Sequence, residues 1–209
     1  MIRLVIFDFS GTLAHYDSSS RRRVFEKLRD FNLPVDKDKV VGELEGILPE
    51  YFSQIQSWKE VADKIIQKLG MVLEADRRES LAVFLEKGAA FKLFGDVKDV
   101  MSLPQKKAIL TLCEKFAVDG ISELRQFEVF SPKICGAKKP DPKAFLAVLK
   151  KFQATPEETA MVGDSLENDV FPALALGMKA IFIDRKNSVK VDDPAIIKIS
   201  GLKELKKYL

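Results

Sequence analysis

The stretch "TAMVGDSLENDVFPALALGMKAIFI", residues 159–183, decides how the chain is read, because an apolar run, a helical run and a second apolar run follow one another within it. Thr159–Val162 and Lys179–Ile183 show little polar alternation, which is how strands buried on both faces read. Between them Asn168–Leu176 has helical spacing and stops at Gly177, a residue suited to the left-handed turn that ends many helices. Strand, helix, strand in this order predicts a parallel α/β sheet.

Outward from this unit the same signals recur. Leu4–Phe7, Ala108–Leu112 and Phe127–Phe130 are further short apolar runs, and a helix is expected over Ala144–Phe152 behind the Pro-Asp-Pro at 140–142. Residues 18–90 read differently, with several helical periodicities and hardly any strand signal. One stripe is Val24, Leu28 and Phe31; a second is Val40, Leu44, Ile47 and Leu48; a third is Trp58, Ala62, Ile65 and Leu69; a fourth is Leu81, Phe84 and Leu85. The expected architecture is therefore α/β: a doubly wound, Rossmann-like parallel sheet built from residues 1–17 and 91–209, with a small α-helical domain at 18–90.

Composition narrows the function classes. Of 209 residues 46% are hydrophobic, enough for a sizeable core, and 34 basic against 31 acidic residues leave a net charge of only +3. So slight an excess gives no reason to expect nucleic acid or a membrane surface as partner. Cys113 and Cys135 cannot form a disulfide framework, and with His15 as the single histidine no histidine-rich metal centre is possible. A strand pattern begins within the first few residues and no apolar run approaches the roughly 18 residues of a membrane span, so a cytoplasmic protein is expected.

Several polar residues stand at or just past the predicted C-terminal ends of the apolar runs: Asp8, Thr111, Lys139 before Pro140, and Asp164 and Asp169 within "GDSLEND". Each alone has a structural explanation as a turn residue, strand hydroxyl, surface charge or N-cap. Together they line one edge of the sheet with three carboxylates, a set that repels itself unless a divalent cation or an anion completes it. In open parallel sheets that edge is where ligands bind.

In their order and spacing "DFSGTL", "ILTL", "KKPDP" and "GDSLEND" resemble the four motifs of the haloacid dehalogenase superfamily, with a helical cap between the first two. Most members are magnesium-dependent phosphohydrolases that work through an aspartyl-phosphate on a small phosphorylated substrate. The resemblance implies that Asp8 is the nucleophile, that Gly11 and Thr12 form the sharp turn beside it, and that Thr111 and Lys139 hold and neutralise the phosphoryl group. It implies Mg²⁺ bound by Asp8, the Ser10 backbone carbonyl and Asp164, with Asp169 a direct or water-mediated ligand. Lys139 is favoured for the lysine role because it directly precedes Pro140, with its neighbour Lys138 the alternative.

One position departs from the pattern. Phosphatases of this family usually carry an aspartate two residues after the nucleophile, as acid and then base; here that residue is Ser10. A hydroxyl cannot serve as that acid or base, and losing such catalysis costs about 10²–10⁴ in rate. The expectation is a slow phosphohydrolase, or one restricted to activated phosphates. Two other readings stand beside it: a 2-haloacid dehalogenase-like enzyme, and a non-catalytic regulator that binds phosphate or a partner on a degraded site.

Overall fold

The computed structural model describes residues 1–16, 18–42, 57–89 and 91–209. Its chain divides into two compact units, one comprising Met1–His15, Leu93–Leu112 and Gln126–Leu209, the other Tyr16–Lys92 and Cys113–Arg125.

The first unit is built on a six-stranded sheet: β1 (Leu4–Phe7), β4 (Lys106–Leu110), β5 (Glu128–Phe130), β6 (Thr159–Gly163), β7 (Lys179–Ile183) and β8 (Ile196–Ile199), in the order β5-β4-β1-β6-β7-β8, while the short strands β2 (Ala14–Tyr16) and β3 (Phe91–Leu93) lie outside it. All of its neighbours pair in parallel, as the continuous apolar runs require. The residues of β1 and β6 are all buried. Leu4 and Ile6 point into a cluster with Ala144, Phe145, Val148 and Leu149 of the helix Pro142–Phe152. Val5 and Phe7 alternate to the other face, where Phe7 meets Phe127 edge-on at 6.0 Å between centroids.

Strand β1 lies between β4 and β6, and the chain winds outward from it in both directions, to β5 on one side and through β7 to β8 on the other. That reversal of winding is a topological switch point, where a crevice opens beyond the strand ends. Register brings the ends level, since Phe7 lies opposite both Ile109 and Val162. Asp8 extends the ladder by donating its N–H to the Val162 carbonyl at 2.8 Å, and Thr111 does so by donating to Phe130 at 3.0 Å.

Local chemistry sets the helices. Asp141 caps the helix Pro142–Phe152 by accepting from the Lys143 N–H at 2.9 Å, with Pro142 in the first turn. Gly177, at φ +84°, ends the helix Phe171–Ala175, which follows a π-helical turn at Leu166–Val170 where the sequence predicts one helix from Asn168. Strand β4 lies two residues N-terminal to its expected position. Strand β8 carries no strand signal of its own, because "IIKI" is a very short run with a lysine in it, as suits an edge strand.

In the second unit, helices at Ser18–Asp30, 37–42, Trp58–Lys68 and Ala75–Phe84 carry the expected stripes. Val24, Leu28, Val40, Trp58, Ala62, Ile65, Leu69 and Leu81 share one buried cluster, with Phe31 and Phe84 against it. Leu44, Ile47 and Leu48 of the second stripe lie outside the described residues. Residues 113–125, grouped by sequence with the α/β part, cluster with the helices instead. Ala117 lies in their buried cluster with Cys113 and Phe116 packed against it, and Phe116 meets Trp58 edge-on at 5.2 Å. Among the described residues no helix is long and apolar enough to cross a membrane.

Candidate active site

The turn after β1 carries the first group. Asp8 is 6% exposed, and the chain doubles back behind it because the N–H groups of Leu13 and Ala14 both donate to the Phe9 carbonyl at 2.9 Å. Gly11 has φ +89°, and a β-carbon there would stand 2.0 Å from Asp164 Oδ2. Glycine is therefore demanded twice, by conformation and by the carboxylate pressed against it. Thr12 is buried behind the turn, whereas the Ser10 side chain is exposed.

The loop after β6 carries the second group. A β-carbon on Gly163 would lie 2.3 Å from Asp169 Cγ, so the bare backbone lets Asp169 fold in beneath the strand end. Asp169 Oδ2 accepts the Ser165 N–H at 3.1 Å, and Ser165 Oγ in turn accepts from Asn168 N at 3.1 Å. The two bonds close the π-helical turn and aim Asp169 inward.

Lys139 joins the groups. It is 3% exposed, and its Nζ donates to Asp8 Oδ1 and to Asp169 Oδ1, both at 2.6 Å. Burial alone would lower its pKa, but the charges of Asp8 and Asp169 and the two hydrogen bonds outweigh that and hold it above the usual lysine value. The neighbouring Lys138 is exposed. Thr111 is buried at the end of β4.

Asp8, Asp164 and Asp169 each bring a carboxylate oxygen within 4.8 Å of the others, against a single ammonium. Asp164 is pushed up to about 7, first by desolvation of its carboxyl and then by the charges of Asp8 and Asp169. Burial and the Asp8 charge raise Asp169 as well, with Lys139 opposing them. Asp8 Oδ2 is buried and accepts no hydrogen bond among the described residues. An orphaned carboxylate oxygen, an uncompensated negative charge and an all-oxygen donor set fit a hard divalent cation such as Mg²⁺.

Residues 2–177 match the family of haloacid dehalogenase-like hydrolases. The chain belongs to this family. Within it, the chain is 26% identical to a glyceraldehyde 3-phosphate phosphatase of Pyrococcus furiosus over 91% of this chain and 84% of that one. It is 25% identical to phosphoglycolate phosphatase 1 of Pseudomonas aeruginosa, over 85% and 67%. In fold it resembles a haloacid dehalogenase-family phosphatase from Thermococcus onnurineus, with a TM-score of 0.66 at 23% identity, covering 99% of this chain and 97% of that one. An L-2-haloacid dehalogenase gives a TM-score of 0.74 at 16% identity, covering 99% and 98%. It is thus a hydrolase on the family's α/β fold.

Sequence reasoning passed over the end of β7. A cleft of about 460 Å³ opens beside Gly11 and Asp164 and is bordered there by Asp184 and Arg185. The rule that singled out Asp8, Thr111 and Asp164, a polar residue just past an apolar run, applies equally to "IFIDR".

Proposed function

We propose that the chain is a Mg²⁺-dependent phosphohydrolase acting on a small phosphorylated compound through a phosphoryl group carried by Asp8. One observation carries the reading: a buried Asp8 with Oδ1 neutralised by Lys139 and Oδ2 without a donor among the described residues, beside two further carboxylates. Asp8, Asp164, the Ser10 carbonyl and, directly or through water, Asp169 would hold Mg²⁺, which neutralises charge on the phosphoryl oxygens when bound.

The chain's own groups divide the rest of the work. An Asp8 oxygen forms the bond to phosphorus as the ester P–O bond breaks, and the electron pair leaves with the substrate oxygen. Lys139 holds Asp8 Oδ1 in place by its hydrogen bond and, with the Thr111 hydroxyl, offsets charge on the transferring group. Water then attacks phosphorus and releases the Asp8 carboxylate. No carboxylate stands at position 10 to protonate the leaving oxygen or take the proton of that water, so alkyl esters should turn over slowly and acyl or aryl phosphates faster. The two named phosphatase relatives favour phosphorus over carbon as the centre attacked. Displacing halide at carbon uses Asp8 and a cation but gives no account of the Asp164 and Asp169 pair. By the family resemblance the helical unit would select the substrate, and the absence of a disulfide pattern suits a reducing cytoplasm.

An aryl phosphate assayed with Mg²⁺ and with chelator tests the proposal. Hydrolysis that needs the metal, is lost in Asp8→Asn and yields an acid-trapped phosphoprotein in the native chain is expected. Metal binding without turnover of any phosphate would make the chain a regulator rather than a catalyst.

A further inference from the structure

Arg185, just past the end of β7, makes an unusual set of contacts within the α/β unit. Its Nε donates to the Gly11 carbonyl at 3.3 Å and its Nη2 to the Thr12 carbonyl at 2.6 Å. On its other side Nη1 and Nη2 donate to Asp96 Oδ2 and Oδ1 at 3.0 and 3.1 Å, a two-pronged ion pair. The guanidinium carbon sits 3.6 Å from the centroid of the Phe94 ring, and Asp96 Oδ2 also accepts the Leu202 N–H at 2.9 Å. Face, edge and both prongs of the side chain are thus engaged, an arrangement only a planar, five-donor cation can satisfy.

We propose that Arg185 is a positioning residue for the cation site, a clamp that fixes the turn carrying the Ser10 carbonyl. The geometry leads from one peptide to the next. The Thr12–Leu13 peptide is held at both ends, its carbonyl by Arg185 and its N–H by Phe9. The Gly11 carbonyl is held by Arg185 while the Gly11 N–H donates to Ala14 at 2.7 Å. That N–H belongs to the same planar trans peptide as the Ser10 carbonyl, so directing one toward Ala14 directs the other the opposite way. The same clamp keeps the Gly11 backbone against Asp164, where no β-carbon fits. Among the described residues Arg185 forms no ion pair with the three clustered carboxylates, and its charge is balanced by Asp96. What it contributes is the placement of two ligands relative to each other.

The cation part of this inference rests on the proposed function; the clamp does not, and the test separates them. In the full-length chain, Arg185→Lys keeps the charge but cannot reach Asp96 with two prongs and both carbonyls at once. Amide hydrogen exchange with chelator present should be faster at Gly11, Leu13 and Ala14 in this variant, and unchanged at Ile6 and Val162. Calorimetric Mg²⁺ affinity should fall by about 10–100-fold, the usual loss when an outer support of a metal site is removed. With an aryl phosphate the half-saturating Mg²⁺ should rise while kcat at saturating Mg²⁺ stays near native. A purely structural residue would lower the active fraction and leave that half-saturation unchanged. Asp96→Asn, which frees the guanidinium from its orienting partner, should move the same measurements in the same direction and replaces Arg185→Lys if that variant does not fold. Native exchange at the turn overturns the clamp. Faster exchange with native Mg²⁺ affinity overturns its role at the cation site. If the native chain itself binds no Mg²⁺, the functional reading fails and exchange alone decides the clamp.

Discussion

At Ser10 the backbone is paired in a bridge with Ala14 while the side chain is exposed, so the residue's two roles are separable. A longer acidic side chain has room there, and the carbonyl proposed to bind the cation belongs to the backbone. Ser10→Asp should therefore fold, bind Mg²⁺ as the native chain does, and gain alkyl-phosphate hydrolysis by about 10²–10⁴-fold, the range of positioned acid–base catalysis. The gain for an acyl phosphate should be much smaller when phosphoryl transfer limits, because its leaving group departs without a proton. Steady-state rates on both substrates check this; equal rates on alkyl phosphate in variant and native chain would show that the missing acid does not limit turnover.

At the scale of elements, the site is made by strands ending level and by one loop folding back under its own strand. Gly163 closes β6, and its missing β-carbon is what admits Asp169 to Lys139. In Gly163→Ala the new methyl would have to displace Asp169, an overpacking expected to cost about 1–3 kcal/mol in chemical denaturation. Because the displaced group is the carboxylate shared with Lys139, Mg²⁺ affinity should fall alongside stability. A variant with native affinity would show that Asp169 relaxes without disturbing the cation site. The π-helical turn at Leu166–Val170 belongs to the same device, since it places Asp169 where its Oδ2 meets the Ser165 N–H.

For the whole molecule the clustered carboxylates couple stability to pH and, through the proposed cation, to metal. The folded chain holds the Asp164 proton with a pKa of about 7 against an ordinary 3.8, and Asp169 is raised too. Between those values the folded state binds more protons than the unfolded one, so the metal-free protein loses stability from these groups as pH rises toward 7. Mg²⁺ needs the carboxylates ionised, and its effect therefore runs the other way. At a hundredfold excess over Kd it should add about 2.7 kcal/mol, or about 5–10 °C in Tm for a chain of this size. The gap between Mg²⁺ and chelator should be wider at pH 8 than at pH 6. In Asp164→Asn the gap should shrink and the metal-free protein should be more stable than native at pH 8. A gap independent of pH in the native chain would place the metal elsewhere.

The sequence by itself determined the parallel sheet, the helical insertion and the line of polar residues at strand ends. Those features are local: a strand buried on both faces is a continuous apolar run, and the next residue past such a run in a parallel sheet faces the crevice. Asp8, Thr111 and Asp164 were legible for that reason, whereas Lys139, beyond the helical turn Pro132–Cys135, and Asp169, within Leu166–Val170, stood out through their motifs; the three carboxylates with Lys139 do meet. Only the tertiary structure decided the rest. It gave the preference for Lys139, which directly precedes Pro140, its physical basis by burying that side chain between Asp8 and Asp169 and leaving Lys138 exposed. Residues 113–125 pack with the helices through Cys113, Phe116 and Ala117. Arg185 and Asp96, 89 residues apart, became partners, a pairing that apolar periodicity cannot encode. Periodicity records which side of its own element a residue faces; what waits on that side is settled when distant segments fold together.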